Sequence, residues 1–560
     1  MKRMLCLLFA SMLVLVSCSQ GASPPASGST GASTAAPASS TASAATPVNE
    51  ADSGVAKDGL PIVQETIQMR ALVAKYIDVP DWNGHPYTEQ MKEWTNIDIA
   101  WDCVPDAGFE EKRNLVFASN DLPDFVMRAK LSPQLEAKYA QAGQLLTLND
   151  YMDYLPNLSR IMEEDEGIRK GIAQPDGNIY AFPQLNTTEG NLVSKQYINK
   201  TWLDRLGLDM PTTTEEFYQT LLAFRDQDAN GNGNPNDEIP YAGTHKPGGN
   251  DRSYRMVQNL LGAWGIGHYY PIKDEPYAYV DVDANNTVYL TANDNRFRGV
   301  VEYLAKLWAE GLIDKESFSQ DRNAVAPKIT EDLVGYVFDG NNTQWMGASR
   351  ENFVAMPALT GPNGDRKWID VSSNVQGTGA CVVTTACQYP EAAMRWIDFG
   401  YSEQGTVAIR MGIEGESWYK DDDGKYQLFD HIKNDPNGLT LDQAVSQWSV
   451  YCGGSVPQFI TDDVDQSAAQ LPQTKADTEV LNPDRVQFSQ VPKLKFTEEE
   501  SNRLSRYEQD IVPYINENLV KFITGERPMS EWDAYTTELG KMDIEAYLSI
   551  YQASFDRWNS

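Results

Sequence analysis

The chain has 560 residues, 41% of them hydrophobic, and a formal net charge of −33 that arises from 79 acidic and 46 basic residues. So large an excess of negative charge argues against nucleic acid as a partner, and against direct adhesion to anionic lipid headgroups, because both are themselves negatively charged. The length suggests about three or four domains, although large α/β lobes would lower that count and two such lobes would suffice.

The N terminus has the pattern of an export signal. Two basic residues precede an apolar run at 4–16, which is shorter than the roughly 18 apolar residues that a membrane-spanning helix needs. The run closes with Leu-Val-Ser-Cys at 15–18, and lipoprotein signal peptidases require small residues ahead of the cysteine that receives the lipid. This stretch resembles the bacterial lipobox, so we expect residues 1–17 to be removed and Cys18 to be lipidated. An ordinary secretory signal with an incidental cysteine is the alternative.

Residues 18–58 follow as a segment of Ala, Ser, Thr, Gly and Pro with almost no large apolar side chain. Such a segment cannot bury enough apolar surface to offset the entropy lost on ordering, so we expect a flexible tether. Beyond it no stretch approaches the length of a membrane helix. The sequence therefore predicts a folded body held at the extracellular face of the cell membrane through its lipid anchor alone.

Four cysteines remain for the folded body, namely Cys103, Cys381, Cys387 and Cys452. Their spacing fits neither a zinc site nor a CxxC motif, and the four histidines of the chain form no HExxH arrangement. Transition-metal chemistry is therefore not expected. The sequence leaves open whether any of these cysteines form a disulfide.

Beyond the tether, short runs rich in β-forming residues alternate with helical segments, which favours a parallel α/β sheet. The first three runs are at 66–73, 97–104 and 124–127. Between the first two runs, a helix would carry three residues spaced by four and three on one buried face: Tyr87, Met91 and Trp94.

A second helix is predicted from its N-terminal cap. Thr212 and Glu215 have the spacing of a capping box directly after Pro211, which marks the start of a helix. The apolar residues that follow at helical spacing are Phe217, Leu221 and Phe224.

Two helices are expected near the C terminus. An amphipathic pattern over 504–522 predicts a long helix, and Gly525 is its expected stop because glycine adopts the left-handed conformation that ends many helices. Another helix is expected over 532–547.

The body also contains six segments whose order and spacing are specific when they are taken together. They are SNDLPDFV (119–126), DGNIYAFPQ (176–184), YINKTWLDRLGLDMPTTTEEFYQTLLAF (197–224), AAMRWIDFGYSEQG (392–405), MGIEGESWY (411–419) and KFITGERPMSEWDAY (521–535). In these segments the chain resembles the family of extracellular solute-binding lipoproteins that serve carbohydrate ABC importers in Gram-positive bacteria. The resemblance covers nearly the whole body.

This resemblance implies a fold of two α/β lobes, of the type II periplasmic-binding-protein kind, joined by strands that cross a hinge. Both lobes are then discontinuous in sequence. The N-terminal lobe would comprise 59–183 plus 356–450, and the C-terminal lobe 184–355 plus 451–560. The crossings are expected near 180–184, 355–360 and 450–457.

The resemblance also implies the function: the protein would capture a carbohydrate, expected to be an oligosaccharide, and deliver it as a monomer to an ABC permease. Catalysis is not expected, because the chain contains no nucleophile elbow, no phosphate-cradling glycine loop and no specifically framed carboxylate pair. Two alternatives stay open. One is an extracellular glycan-processing enzyme such as a glycoside hydrolase, since two carboxylates suffice for that chemistry; the other is a surface sensory or adhesion module.

A glycine-rich stretch at 226–238 has oxygen donors at every second position. A hard cation such as Ca²⁺ takes about six to eight oxygen ligands. Counting from Asp226 gives the spacing of an EF-hand loop, but with Asp237 where a bidentate Glu is usual. Members of the resembled family carry a D-x-N-G-N-G stretch that ends in D-E. That pattern implies one structural Ca²⁺ held by Asp228, Asn230, Asn232, Asn234, Asp237 and Glu238. A solvated turn without an ion is the alternative.

Candidates for the ligand cleft are aromatic residues and polar loops. The flat face of a tryptophan can stack on a sugar ring while the hydroxyls reach polar neighbours. Four tryptophans lie beside Gly, Asn or Ser rather than within apolar periodicity: Trp82, Trp264, Trp345 and Trp418. Two polar segments flank the expected crossings, at 184–189 and 339–344, and they supply Gln184, Glu189 and Asp339. Core packing for the tryptophans, and ordinary connecting loops for the two segments, are the alternatives.

Overall fold

The structure is a computed structural model that describes residues 54–188, 194–245, 256–267, 279–340, 346–369, 374–464, 472–486 and 494–560. Cys18, Glu189 and Trp345 lie outside these ranges. The first described residues, assigned above to the tether, already belong to the folded body, because Val55 forms a β-bridge with Val63.

The strands and helices follow one another along the chain in a mixed α/β order. In chain order the strands are β1 (Ile67–Lys75), β2 (Ile97–Pro105), β3 (Phe125–Leu131), β4 (Phe182–Asn186), β5 (Ser194–Asn199), β6 (Ile239–Ala242), β7 (Val280–Val282), β8 (Val288–Leu290), β9 (Val334–Gly340), β10 (Phe353–Ala355), β11 (Trp368–Ile369), β12 (Val375–Val383), β13 (Trp418–Lys420), β14 (Tyr426–Leu428), β15 (Gln458–Ile460) and β16 (Arg485–Val486). The α-helices are α1 (Pro86–Thr95), α2 (Asp106–Ser119), α3 (Pro133–Gln141), α4 (Pro156–Glu164), α5 (Glu166–Ile172), α6 (Lys200–Leu206), α7 (Thr214–Asp226), α8 (Asn295–Ala309), α9 (Arg322–Thr330), α10 (Pro390–Phe399), α11 (Glu403–Met411), α12 (Asp430–Lys433), α13 (Leu441–Val445), α14 (Pro472–Leu481), α15 (Glu498–Thr524), α16 (Trp532–Gly540) and α17 (Ile544–Asn559).

The first lobe is built on a six-stranded sheet with the order β15-β4-β12-β3-β1-β2. Its strands are parallel to one another except for β12, which is antiparallel to both of its neighbours. The three runs predicted from sequence are β1, β2 and β3, so the parallel α/β sheet is confirmed.

The second lobe is built on a four-stranded sheet with the order β10-β5-β9-β6. Here β6 is parallel to β9, and β5 is antiparallel to both β9 and β10. Each sheet therefore contains one reversed strand. The reversed strand β5 follows β4 of the first sheet, and the reversed strand β12 follows β10 of the second sheet after the short strand β11, which pairs with β16 in a separate two-stranded sheet. This exchange confirms the discontinuous lobes and the strands that cross a hinge.

The boundaries of the two lobes differ from the predicted ones. Because β4 and β15 both pair within the first sheet, the chain leaves the first lobe after Asn186 and again after Ile460. It returns between Ile369 and Val375, since β11 pairs with β16 on the side of the second lobe. Each crossing lies further toward the C terminus than expected, and the described lobes are 54–188 plus 374–464, and 194–369 plus 472–560.

The first sheet is covered by apolar side chains on both faces. Along β1, Ala71 and Val73 belong to one hydrophobic cluster, while Leu72 and Ala74 belong to another. Successive strand residues point to opposite faces, so this division is what an α/β sheet buried on both sides requires. The second lobe has a largely helical core, in which α7 and α8 pack with α15, α16 and α17.

The predicted helices are present, with two differences. The capping box of α7 uses Thr213 and Glu216 rather than Thr212 and Glu215, and Glu216 also accepts hydrogen bonds from the backbone and side chain of Thr212. The last predicted helix is two helices, α16 and α17, separated by a turn at 541–543. The stop of α15 at Gly525 is confirmed by its left-handed backbone.

The four cysteines of the body are free thiols in this structure. Within the described ranges no helix is both long enough and apolar enough to cross a membrane.

Candidate functional site

The carboxyl ends of the parallel strands define the candidate ligand site. In the first sheet these ends share one edge, and all three crossings leave or enter the sheet there. In the second sheet β5 begins opposite the end of β9, because Ser194 pairs with Gly340. The segment from β4 to β5 therefore joins the carboxyl edges of the two sheets. Open α/β sheets bind ligands in the crevice outside these edges.

A cluster of polar groups stands near this edge of the first sheet and consists of Gln184, Gln376 and Ser455. The Nε2 group of Gln184 donates to Oε1 of Gln376 at 3.0 Å, and the backbone N–H of Ser455 donates to Oε1 of Gln184 at 2.5 Å. Gln184 is half-buried, whereas Gln376 is exposed. Amide groups both donate and accept hydrogen bonds, so this cluster offers a ligand hydroxyl partners of both kinds.

The loop at 450–455, which carries Ser455, is anchored by a buried arginine. Arg128 on β3 is 1% exposed, and its Nη2 donates to the carbonyl oxygens of Val450 and Cys452. Its guanidinium also lies 5.8 Å from the centre of the Trp82 ring. Burial lowers the pKa of Arg128 to about 10, so the side chain remains a cation at neutral pH.

Two tyrosines help to fix the same loop: Tyr76 packs against it and Tyr451 belongs to it. The ring of Tyr76, directly after β1, approaches Gly453 so closely that a Cβ there would lie 2.7 Å from it, and Gly453 has a φ of +88°. A side chain at this position would be excluded on both grounds. Tyr451 donates to Asp442 at 2.9 Å and is covered by the guanidinium of Arg410 at 4.6 Å. Burial raises the pKa of both tyrosines, so their hydroxyls stay protonated.

Three of the tryptophans predicted to line the cleft are core residues, and that assignment is corrected. Trp82 is fully buried in the first lobe against Trp101. Trp264 packs in the core of the second lobe, and Trp418 is fixed by a hydrogen bond from its Nε1 to a backbone carbonyl at 3.1 Å. Small or polar neighbours in sequence do not determine which way a side chain points, and here all three point inward.

The remaining cleft candidates have mixed outcomes. Gln184 lies in the polar cluster described above. Asp339 belongs to β9, with its backbone opposite Lys195 of β5 near the carboxyl edge of the second sheet. Glu189 and Trp345 fall outside the described residues, so their places in the cleft stay predictions. Arg128 and Gln376 were missed, although an arginine within the apolar run of β3 was a signal that could have marked the former.

The predicted calcium loop connects α7 to β6 and is stabilised by its own side chains. Asp237 accepts hydrogen bonds from the amides of Asn230 at 3.1 Å and Asn232 at 2.9 Å. Asp228 accepts the backbone N–H of Gly233 at 3.0 Å. Among the residues that the structure describes, no three His, Cys, Asp or Glu side chains are grouped closely enough to hold a metal by themselves.

The donor set nevertheless fits a hard cation. Oδ1 of Asp228 and Oε2 of Glu238 are buried and have no hydrogen-bond partner in the described structure. Burial raises the pKa of Glu238. At Asp237 burial also acts to raise the pKa, but hydrogen bonds from the side-chain amides of Asn232 and Asn230 lower it overall. Two uncompensated carboxylate oxygens beside amide oxygens are the ligands that Ca²⁺ prefers.

A family comparison defines the class of protein to which this chain belongs. The model of the family of bacterial extracellular solute-binding proteins matches residues 66–407, and the chain is a member of that family. The protein is therefore an extracellular solute-binding protein and not an enzyme, as expected from its sequence.

Particular relatives extend over most of the chain. It is 28% identical to the fructooligosaccharide ABC transporter substrate-binding protein FusA of Streptococcus pneumoniae serotype 4, over 86% of this chain and 88% of the relative. It is 24% identical to lipoprotein LipO of Bacillus subtilis, over 65% of this chain and 70% of LipO.

Solved structures agree with this relationship. FusA in complex with kestose has a TM-score of 0.71 and 26% identity, and the match covers 88% of this chain and 99% of FusA. An EF-hand mutant of FusA in complex with fructo-nystose matches equally well. A solute-binding protein of Bifidobacterium longum infantis has a TM-score of 0.76 at 21% identity, with the same coverage, which shows the shared fold.

Proposed function

We propose that this protein captures an oligosaccharide outside the cell and delivers it, unchanged, to an ABC importer. The observation that carries the proposal is the relationship to FusA, which extends over 86% of this chain and is described as binding fructooligosaccharides for such a transporter. The polar cluster at the carboxyl edge of the first sheet supports it, because neutral amides and tyrosine rings suit an uncharged, hydroxyl-rich ligand.

Capture would proceed by closure of the two lobes around the sugar. Both carboxyl edges lie at the crossing segments, so one ligand can contact residues of both lobes at once. A ligand that makes more contacts in the closed form shifts the equilibrium toward that form by its differential affinity. The permease would then distinguish loaded protein from empty protein by the relative position of the lobes.

The site of action would be the extracellular face of the cell membrane, where a monomer is held by lipid on Cys18. Stable anchoring needs more than one acyl chain, as a diacylated cysteine provides. Replacement of Cys18 by Ala should release the protein into the medium, and metabolic palmitate labelling should be lost with it. An unlabelled wild-type protein would contradict the anchor.

The loop at 228–238 would bind one structural Ca²⁺. Asp228, Asn230 and Asn232 would provide side-chain oxygens, and Asp237 with Glu238 would complete the carboxylates, with the carbonyl of Asn234. A bound cation would give the buried oxygens of Asp228 and Glu238 the partner that they lack. Such an ion would fix the connection from α7 to β6 and supply no chemistry.

The central experiment is a thermal-shift screen with kestose, nystose and unrelated oligosaccharides. A ligand that binds only the folded protein raises its stability by RT ln(1 + [L]/Kd), so a transported sugar should raise the melting temperature in a concentration-dependent way. Small-angle scattering with that sugar should show a smaller radius of gyration. Chromatography of the sugar after long incubation should recover it intact, and cleavage products would establish a glycan-processing enzyme instead.

A further inference from the structure

A cavity of about 690 Å³ lies in the first lobe at the edge opposite the candidate cleft. It is lined by residues at the amino ends of β1 and β2, by the segment that precedes β3, and by the segment that follows β12. Its volume is within the range of about 300–1,000 Å³ that small-molecule sites occupy. The parallel strands of the sheet separate it from the crossing segments.

Aromatic residues form the inner part of this cavity. Trp101 keeps 7% of its surface exposed, and Trp82 and Trp396 flank it at ring distances of 4.7 Å and 6.0 Å. Met69 and Met91 add apolar surface to the same lining. Each of these side chains is 7% exposed or less, so only their edges reach the cavity, where they favour a ligand that offers a small apolar face.

Two of these indoles carry a hydrogen-bond donor that is not used. Nε1 of Trp82 and Nε1 of Trp396 are buried, and neither has a hydrogen-bond partner among the described residues. A buried donor without an acceptor costs roughly 1–3 kcal/mol. Trp396 lines the cavity and is 3% exposed, so a small shift of its side chain would bring Nε1 to an acceptor oxygen of an occupant, while Trp82 packs behind Trp101.

Charged groups line the cavity, but the structure pairs most of them. Lys92 is 2.9 Å from Asp98, and Arg70 is 3.3 Å from Asp121. Asp124 accepts the backbone N–H groups of Arg70 and Gln388. The lining holds three acidic residues, Glu89, Asp98 and Asp124, against two basic ones, Arg70 and Lys92, so it disfavours an anion and suits a neutral occupant.

We propose that this cavity is a second binding site, separate from the cleft, for one or two rings of a neutral saccharide. A sugar ring combines an apolar C–H face, which suits Trp101, with oxygen acceptors, which suit the free indole N–H of Trp396. Such a site would let the protein hold a saccharide without closing its lobes.

The test uses the mature full-length protein, with kestose and maltotriose as probes in isothermal titration. Glu89 is an exposed residue of α1 that lines the cavity, and Glu89→Trp would fill part of the cavity with an indole without changing the buried aromatic residues. Trp396→Phe removes only the indole N–H donor and part of the ring. A cleft variant, Gln184→Ala with Gln376→Ala, serves as the matched control. Circular dichroism and melting curves establish that each variant is folded.

We expect a weak second binding event in the wild type and in the cleft variant. It should weaken at least tenfold in Glu89→Trp and about threefold to tenfold in Trp396→Phe. If the wild type shows a single binding event, and the isotherms of Glu89→Trp and Trp396→Phe are the same as that of the wild type, the second site does not exist. The stronger binding event reports on the cleft, and the cleft variant should lose only that event. A failure of the cleft to bind sugar would therefore contradict the proposed function without affecting the result for the cavity, so the two failures are distinguishable.

Discussion

Two loops of this protein gather buried polar groups, and they are stabilised in different ways. The loop at 450–455 in the first lobe is held by Arg128, which donates to two of its carbonyls. The loop at 228–238 in the second lobe contains buried carboxylate oxygens without partners in the described structure. The first loop thus has a cation that is part of the chain, whereas the second would obtain its cation from the medium. If the proposed Ca²⁺ site is occupied, the loop of the second lobe would respond to the ion concentration, while the loop held by Arg128 would not.

The largest effect is expected from removal of the built-in cation. Arg128→Met leaves the carbonyls of Val450 and Cys452 without their donor, and we expect the free energy of unfolding to fall by about 4 kcal/mol. Urea denaturation measures that loss. Sugar binding should weaken as well, because the loop carries Ser455.

Arg113 provides the matched control for this variant. It is also a buried arginine that donates to backbone carbonyls, those of Ala129 and Lys130, but it does not contact the loop at 450–455. Arg113→Met should lower stability and leave sugar affinity unchanged. Equal losses of affinity in both variants would show that Arg128 has no special role at the cleft.

The second effect comes from a half-buried carboxyl, that of Glu508, for which the described residues provide no cationic partner. Burial raises the pKa of Glu508 on α15 to about 7, although the hydroxyl of Tyr551 donates to it at 3.0 Å. Because the folded pKa is above the unfolded one, the folded state keeps its proton where the unfolded state has lost it. Stability is therefore full below about pH 4.5 and falls as the pH rises toward 7, by roughly 3 kcal/mol in all.

Glu508→Gln removes this titration. The variant should be more stable than the wild type at pH 8 and nearly equal to it at pH 4.5, as measured by urea denaturation at both values. Glu517→Gln on the exposed face of the same helix is the control, and its effect should not depend on pH in this way. A pH-independent difference for Glu508→Gln would contradict the raised pKa.

The third effect tests the external cation. Chelation of Ca²⁺ should destabilise the wild type by about 2.7 kcal/mol relative to a Ca²⁺ concentration of 100 times Kd, with a lower melting temperature. Asp228→Ala should abolish this sensitivity, whereas Asp226→Ala should keep it, because Asp226 is paired with Arg225 at 2.7 Å outside the ligand set. Arg128→Met should also keep it. Identical melting curves with chelator and with excess Ca²⁺ would show that the loop at 228–238 binds no stabilising Ca²⁺.

The smallest effect concerns direct contact with the ligand. Gln376→Ala removes an exposed amide from the polar cluster without disturbing the core, so we expect affinity for the bound sugar to fall about fivefold to tenfold, or roughly 1 kcal/mol. Isothermal titration measures it. Gln219→Ala, an exposed glutamine of α7, should bind like the wild type.

Much of the fold was predictable because local patterns carry it. The β-rich run of β1 and the spacing of Tyr87, Met91 and Trp94 depend only on which side chains must be buried. Tyr87 and Met91 are buried in the structure, and Trp94 packs partly buried against the same core. The capping box of α7 was displaced by one residue, since three threonines followed by two glutamates satisfy the pattern in either register. The local sequence identifies such a helix but does not determine the exact residue at which it begins.

The candidate site was predictable only in part. Gln184 was found because it flanks a crossing, but its partners Gln376 and Ser455 come from distant segments that no local pattern joins. The tryptophans were misjudged for the same reason, because long-range packing decides whether a large aromatic residue faces the cleft or the core. The boundaries of the lobes likewise depend on the pairing of β15 with β4, which is a contact of the finished fold.

The reversed strand β12 also constrains how the chain can fold after export. It fills the gap between β3 and β4, yet it follows all the strands of the second sheet in the order of synthesis. Until β12 has crossed the membrane, β3 and β4 each lack a neighbour, and unpaired strand edges promote aggregation. Such distant pairings also slow folding. The strongly negative charge of the chain helps to keep the waiting segments soluble. The first lobe to emerge is thus unable to complete its sheet before most of the second lobe has followed it.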